Sequence, residues 1–152
     1  MCIMEINSFS GEFEFLSNFY PSPIKIWGIT FPTVEHFFQA AKTTDMFEAE
    51  QIAAADTPGK AKRLGHAVTL RPDWESIKID IMRIGLEEKF KDPILRAKLL
   101  ETGDEPLVEG NWWHDNTWGD CKCEKCSRIL GHNILGKLLM NLRNKIQEEL
   151  AS

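Results

Sequence analysis

The chain has 152 residues, with 18 basic against 23 acidic side chains and a formal net charge of −5, which suits about one domain and excludes a strongly basic nucleic-acid coat. Hydrophobic residues at 43% and charged residues at 27% match an ordinary folded protein, not a disordered one. No apolar run reaches the ~18 residues of a membrane-spanning helix, and Met1-Cys2-Ile3-Met4-Glu5 lacks the basic-then-apolar order of a secretory signal. A single domain over 1–152 is therefore expected, cytoplasmic and without membrane contact.

Residues 2–20 alternate loosely, with Phe9, Phe13, Phe15 and Phe19 available to pack. Ile24 to Phe31 reads as a short hairpin turning at Gly28. Pro32 ends it, and Thr33 is placed to cap a helix running to about Thr44. A second helix is predicted from Asp45 to Ala55, and a third with Thr57 as cap, Pro58 at the first position and Gly65 just past the end.

Residues 72–91 form the clearest long helix. Trp74, Ile77, Ile81 and Ile84 make one apolar row and Ile79, Met82, Leu86 and Phe90 another, so burial on two sides is predicted. Asp92-Pro93 starts a helix that Gly103 stops, and residues 106–109 read as a strand. Residues 110–131 form a long irregular loop, the kind that is usually functional inside a compact domain. Asn133 is placed to cap a last helix with Leu135, Leu138, Leu139, Leu142 and Ile146 on one face. The fold class is α+β, a predominantly helical domain with a small β-sheet.

Charge is unevenly spread. From Cys121 to Lys145, Lys122, Lys125, Arg128, Lys137, Arg143 and Lys145 face only Glu124, so this segment is +5 and the remainder −10. A local positive field of that size suits a phosphate-bearing ligand, and equally a solvated helix.

Four segments carry candidate chemistry. On the helix after Thr33, Val34, Phe37, Ala40 and Ala41 share one side, while Glu35, Gln39 and Lys42 cluster on the other with Phe38 beside them. Glu35 and Lys42 lie two turns apart, about 10 Å along the axis and too far for a direct salt bridge. They are placed either to grip two parts of one ligand or to form a plain solvent face.

The loop at 110–120 holds Trp112, Trp113 and Trp118 interleaved with His114, Asp115 and Asp120. Flat aromatic rings suit stacking on a nucleobase, and carboxylates suit stabilising a cationic transition state or activating water. Trp packing, with Asp as turn residues, explains the same pattern. Cys121, Cys123 and Cys126 supply three soft ligands that His114 or His132 would complete as a tetrahedral zinc site. The second half of a strong zinc pattern is missing, so reduced thiols remain the competing reading. Gly131 to Lys137 opens the last helix in a form compatible with phosphate at its free N–H groups, and with ordinary capping.

Five blocks in order resemble the NADAR family: Phe15-Leu16-Ser17-Asn18-Phe19-Tyr20-Pro21, Pro32 to Lys42, Leu70-Arg71-Pro72-Asp73-Trp74, Trp118-Gly119-Asp120, and Asn133 to Met140 followed by Arg143. The resemblance spans residues 8–146 and implies a compact, largely helical α+β fold that hydrolyses N-glycosidic bonds. It implies as substrate the ADP-ribose moiety of ADP-ribosylated guanine in nucleic acid or nucleotide, with a functional link to DNA ADP-ribosyltransferase toxins. Ribosylated intermediates of riboflavin biosynthesis are the second implied substrate class, and a non-catalytic ADP-ribose-binding module is the third reading.

By the same resemblance Glu35 and Asp120 are the acid/base and electrostatic candidates. Lys42 is implied in ribose handling, Trp118 in stacking, and Asn18, Phe19, Gly131 and Asn133 in ligand contacts. Relatives commonly carry glycine-rich sequence where this chain has its three clustered cysteines. No cofactor is thus expected to be required, with zinc at Cys121, Cys123 and Cys126 at most structural. Breaking the C1′–N bond needs a proton for the departing base and negative charge near the oxocarbenium ion. Glu35, beside Phe37 and Phe38, is the expected carboxyl of raised pKa, and Asp120 the expected ionised one. Lys42 offers an alternative route, attack on an opened ribose to form a Schiff base.

Overall fold

The computed structural model describes residues 5–152. The reading placed on Met1 to Met4, the lack of a secretory signal, lies outside the described residues. The chain divides into two compact units, Asn18–Asp92 and a second composed of Pro93–Ser152 with the N-terminal segment through Ser17.

In the Asn18–Asp92 unit, β1 (Ile24–Ile26) and β2 (Ile29–Phe31) pair antiparallel, with Ile24 opposite Phe31 and Ile26 opposite Ile29. The two turn residues, Trp27 and Gly28, have φ of 56° and 75°, the doubly left-handed turn that matches strand twist. Trp27 is held in that conformation with its ring 5.3 Å from Phe37. Thr33 caps α1 (Val34–Ala40) by accepting from the His36 backbone N–H. His36 is itself buried, its Nε2 facing the Ala55 carbonyl at 3.0 Å. Only a donor fits there, so Nδ1 accepts from the Thr33 hydroxyl at 2.8 Å.

The helix α1 stops at Ala40, short of the predicted Thr44; Lys42 N–H turns back to the Gln39 carbonyl, closing a tight final turn. Asp45 caps α2 (Met46–Ala53) and Thr57 caps α3 (Pro58–Gly65), both through side-chain oxygens. Gly65 lies inside α3 and does not terminate it, because His66 is the C-cap.

The long helix α4 (Trp74–Lys89) corrects the two-sided expectation. Trp74, Ile81, Met82, Gly85, Leu86 and Lys89 are buried in one stripe of helical period, whereas Ile79 and Ile84 are exposed. Ile79, Met82, Leu86 and Phe90 suggest a second row by spacing, but a single buried face takes the helix's turn-by-turn positions. Phe31 and Phe37 meet edge-on at 5.5 Å, and with Val34, Ile52, Met82 and Leu86 they are buried in this unit's core.

In the second unit, α5 (Pro93–Glu101) precedes Gly103 at φ 62°, the left-handed stop predicted for it. The predicted strand at 106–109 is reduced to one parallel bridge between Ile6 and Leu107. The chain pairs instead one step later, where β3 (Gly110–Asn111) runs parallel to β4 (Asp120–Cys121). A 3₁₀ turn at Glu124–Cys126 follows, then α6 (Ile134–Ala151), which buries Leu135, Leu138, Leu139 and Ile146. Arg143 is also buried, donating to Thr102 Oγ1 at 2.8 Å. It therefore takes no part in the positive surface that its segment was expected to present. Both small sheets have two strands, so the α+β, predominantly helical class stands. Among the described residues no helix is long and apolar enough to cross a membrane.

Candidate functional site

All of α1 is buried, its polar face included. Glu35 is 7% and Gln39 3% exposed, so the alternative of a plain solvent face is excluded. Gln39 Nε2 donates to Glu35 Oε1 at 2.7 Å, one turn away. That bond fixes the amide's orientation and turns Gln39 Oε1 away, buried and with no hydrogen-bond partner. Asn18 enters through its backbone, whose carbonyl accepts from the Glu35 N–H at 3.1 Å. Its side-chain amide donates to Met82 Sδ at 3.3 Å, leaving Oδ1 buried and unpartnered.

Lys42 stands just beyond the end of α1, half-buried. Burial lowers its affinity for a proton, the Glu35 charge works against that, and nearby Lys62 lowers it further. Gln39 is wedged on its other side, since a Cβ at Gly65 would overlap its side-chain amide. A dry carboxyl, a fixed amide and an amine that releases its proton readily are the parts needed for proton transfer or amine attack. Phe19, in the same unit, is partly exposed.

The remaining predicted residues belong to the other unit. Asp120 Oδ2 accepts from Lys122 Nζ at 2.9 Å and its Oδ1 from the Gly131 N–H at 3.0 Å. Lys122 first, then Gly131, holds the Asp120 carboxyl below the usual carboxylate range, so it is ionised at neutral pH. Gly131 is needed here because a Cβ would overlap the Gly119 carbonyl and the Asp120 backbone. Asn133 stands at the N-cap of α6 in left-handed conformation, φ 49°, yet its side chain does not cap. It accepts from the Glu109 N–H at 3.0 Å and donates to the Leu107 carbonyl at 2.9 Å, so both ends of its amide are occupied.

Of the two readings of this helix N-terminus, phosphate binding and capping, the protein's own carbonyls favour capping. The N–H groups of His132, Asn133, Ile134 and Leu135 donate to the carbonyls of Asn116, Gly119, Thr117 and Trp118. The Trp118-Gly119-Asp120 block is thus a clasp on α6. Asp115 is a turn residue, its Oδ1 accepting from the Thr117 and Trp118 N–H groups. Trp112 and Trp113 are 68% and 63% exposed, whereas Trp118 is only half-exposed. Lys125, Arg128 and Lys137 are exposed cations of the same unit.

Of the two histidines weighed as a fourth ligand, His114 is the one beside the thiols. Its Nδ1 lies 3.3 Å from Cys123 Sγ, 3.4 Å from Cys126 Sγ and 4.0 Å from Cys121 Sγ. All four potential ligand atoms fall within 4.8 Å of one another. The family resemblance gives this cluster no part in the chemistry.

Two residues of consequence escape a reading of motifs. Lys89 is 2% exposed, its ammonium 5.7 Å from the Tyr20 ring centre and 5.2 Å from that of Phe90. Burial pushes its pKa down to about 7. The signal was its position on the stripe of Met82 and Gly85, where a charged residue breaks the pattern. Gly65 is the other, and its contact with Gln39 depends on packing that no local pattern encodes.

The sequence profile of the NADAR domain matches residues 7–147. N-glycosidase YbiA of Escherichia coli is 41% identical over 150 residues, covering 97% of this chain and 90% of that protein. An N-glycosidase of Nostoc punctiforme is 42% identical over 141 residues, covering 89% and 86%. A protein of Vibrio vulnificus named for riboflavin biosynthesis is 36% identical over 137 residues, 88% of this chain but only 36% of that longer protein. The NMR structure of E. coli YbiA superposes with a TM-score of 0.83 at 39% identity, covering 98% of this chain and 87% of that one.

Proposed function

The chain belongs to the NADAR domain family, and on that premise we propose that it hydrolyses N-glycosidic bonds, with ADP-ribosylated guanine as its substrate and free ADP-ribose as its product. The observation that carries the reading is the buried Glu35 carboxyl, held by the Gln39 amide, together with a partly desolvated Lys42 in the same unit. Relatives named as N-glycosidases support the reaction class.

In the direct route the Glu35 carboxyl gives its proton to the departing base nitrogen as the C1′–N bond breaks. Water adds at C1′, and its proton restores the Glu35 carboxyl. In the amine route Lys42 attacks the carbon of an opened ribose, the base leaves, and water hydrolyses the resulting imine. Trapping with borohydride separates the two. Taken by themselves, the exposed Trp112 and Trp113 of the second unit suit stacking on a flat base, and the exposed Lys125, Arg128 and Lys137 of that unit suit a diphosphate. A DNA ADP-ribosyltransferase toxin is the functional counterpart this reading implies.

The test is incubation with guanine-ADP-ribosylated DNA, followed by measurement of free ADP-ribose. The relative named for riboflavin biosynthesis motivates a second reading, hydrolysis of a pyrimidine-type ribosylated intermediate by the same groups. Cleavage of such intermediates with the modified DNA untouched would establish the second reading over the first. Tight ADP-ribose binding with no release from any N-ribosylated base would identify a binding module.

A further inference from the structure

We propose that His114, Cys121, Cys123 and Cys126 together bind one zinc ion, in a closed structural site that locks the clasp on α6. Three sulfur atoms surround a single imidazole nitrogen at 3.3, 3.4 and 4.0 Å. One nitrogen carries at most one proton or one lone pair, so hydrogen bonding explains one of these approaches and not three. A shared cation explains all of them. With Zn–S near 2.3 Å and Zn–N near 2.0 Å in a tetrahedron, the ligand atoms would lie roughly 3.5–3.8 Å apart; the nitrogen–sulfur distances straddle that range, and all four atoms lie within 4.8 Å of one another, so a small contraction about an ion completes the tetrahedron.

A disulfide is the competing fate of clustered thiols, and all three are free. A Cys₃His set matches a borderline-soft tetrahedral ion and leaves no open coordination position, which makes the role structural. The surroundings are those of a metal-thiolate centre: Asn116 Nδ2 lies 3.5 Å from Cys126 Sγ. His114 adopts φ 68°, a left-handed conformation costly for a residue with a Cβ and sustained when its context requires it.

The placement gives the ion its task. Cys121 follows Asp120 directly, and its N–H donates to Asn116 Oδ1 at 2.9 Å. Asn116 in turn supplies the carbonyl that accepts from His132. An ion joining residues 114, 121, 123 and 126 therefore fastens both flanks of the segment that caps α6.

Metal analysis of the purified full chain should find one zinc per molecule. Cobalt(II) in its place should show the visible bands of a tetrahedral centre and thiolate charge transfer in the near ultraviolet. His114→Ala should weaken zinc by more than the ~10–100-fold that loss of an outer partner costs, and His132→Ala should leave it unchanged. Chelation should raise hydrogen exchange across residues 110–135 well before the Asn18–Asp92 unit responds. The proposal is overturned if the wild-type chain binds no more zinc than a Cys121→Ser/Cys123→Ser variant, or if its thiols react equally fast with and without zinc. Each readout is independent of any glycosidase activity.

Discussion

Gly65 stands so close to Gln39 that no side chain fits between α3 and the amide that holds Glu35. Gly65→Ala should displace Gln39 and release Glu35 from its donor. The expected result is a folded protein with turnover reduced severalfold or more at unchanged ADP-ribose affinity. Calorimetric titration beside single-turnover rates checks it, and unaltered kinetics in a folded variant would remove Gln39 from the positioning of Glu35.

Glu35→Gln preserves the shape and still accepts from Gln39, but it can no longer exchange a proton as a carboxyl does. Turnover should fall about 10²–10⁴-fold while the melting temperature and ligand affinity stay close to wild type. Near-normal turnover would end the assignment of Glu35 as the acid.

Lys42→Ala should impair the reaction, and mass spectrometry after borohydride reduction should find a ribose-derived adduct on Lys42 if the amine route operates. Because burial lowers the Lys42 pKa, the amine route should remain active at pH values below those at which an exposed lysine loses its proton. Lys42→Arg, which keeps the charge and loses the nucleophile, should rescue the direct route and not the amine route.

Asp120→Asn keeps an oxygen for the Gly131 N–H and loses the ion pair with Lys122. A bracing role predicts loss of stability with turnover nearly intact, whereas a role at the oxocarbenium ion predicts the reverse. The folded pKa is depressed, so the Asp120 contribution is complete above the unfolded carboxyl value and lost as pH falls through the folded one. The acid limb of denaturation should therefore flatten in the variant.

Lys89 reverses that sign. Its pKa is about 7 in the fold against an ordinary 10.5, so between those values the unfolded chain holds a proton that the native chain has released. Stability should rise with pH across that window, and below it the full cost of burying the ammonium is present. Urea unfolding from pH 7 to 10 should show this slope in the wild type and a smaller slope in Lys89→Met. Equal slopes would place a proton on the buried amine throughout.

Local signals made much of this protein legible. Thr33, Asp45 and Thr57 cap the helices their positions suggested, and Gly28 sits in the hairpin turn where a positive φ was needed. Glu35 and Gln39 were recognisable as a pair because helical spacing fixes their side of α1, and Lys42, just past its end, still feels the Glu35 charge. What periodicity could not convey was that this side is buried, since burial depends on what packs over it. The role of Trp118-Gly119-Asp120 was hidden for the same reason. Its carbonyls serve N–H groups well over ten residues away, and a distant acceptor leaves no mark on the sequence of the helix it caps. Asn133 looked like a cap and a ligand contact, yet its amide is occupied by Leu107 and Glu109.

The bridge between Ile6 and Leu107 has a consequence for the order in which the chain can assemble. During synthesis the segment around Ile6 emerges roughly a hundred residues before its partner, which leaves a long and entropically costly loop to close. All of Asn18–Asp92 is delivered in between. The Ile6 segment thus leaves the ribosome before the whole of Asn18–Asp92 yet pairs only after it, and a nascent chain stalled before Leu107 holds every residue of the Glu35 group while Ile6 still waits for its neighbour.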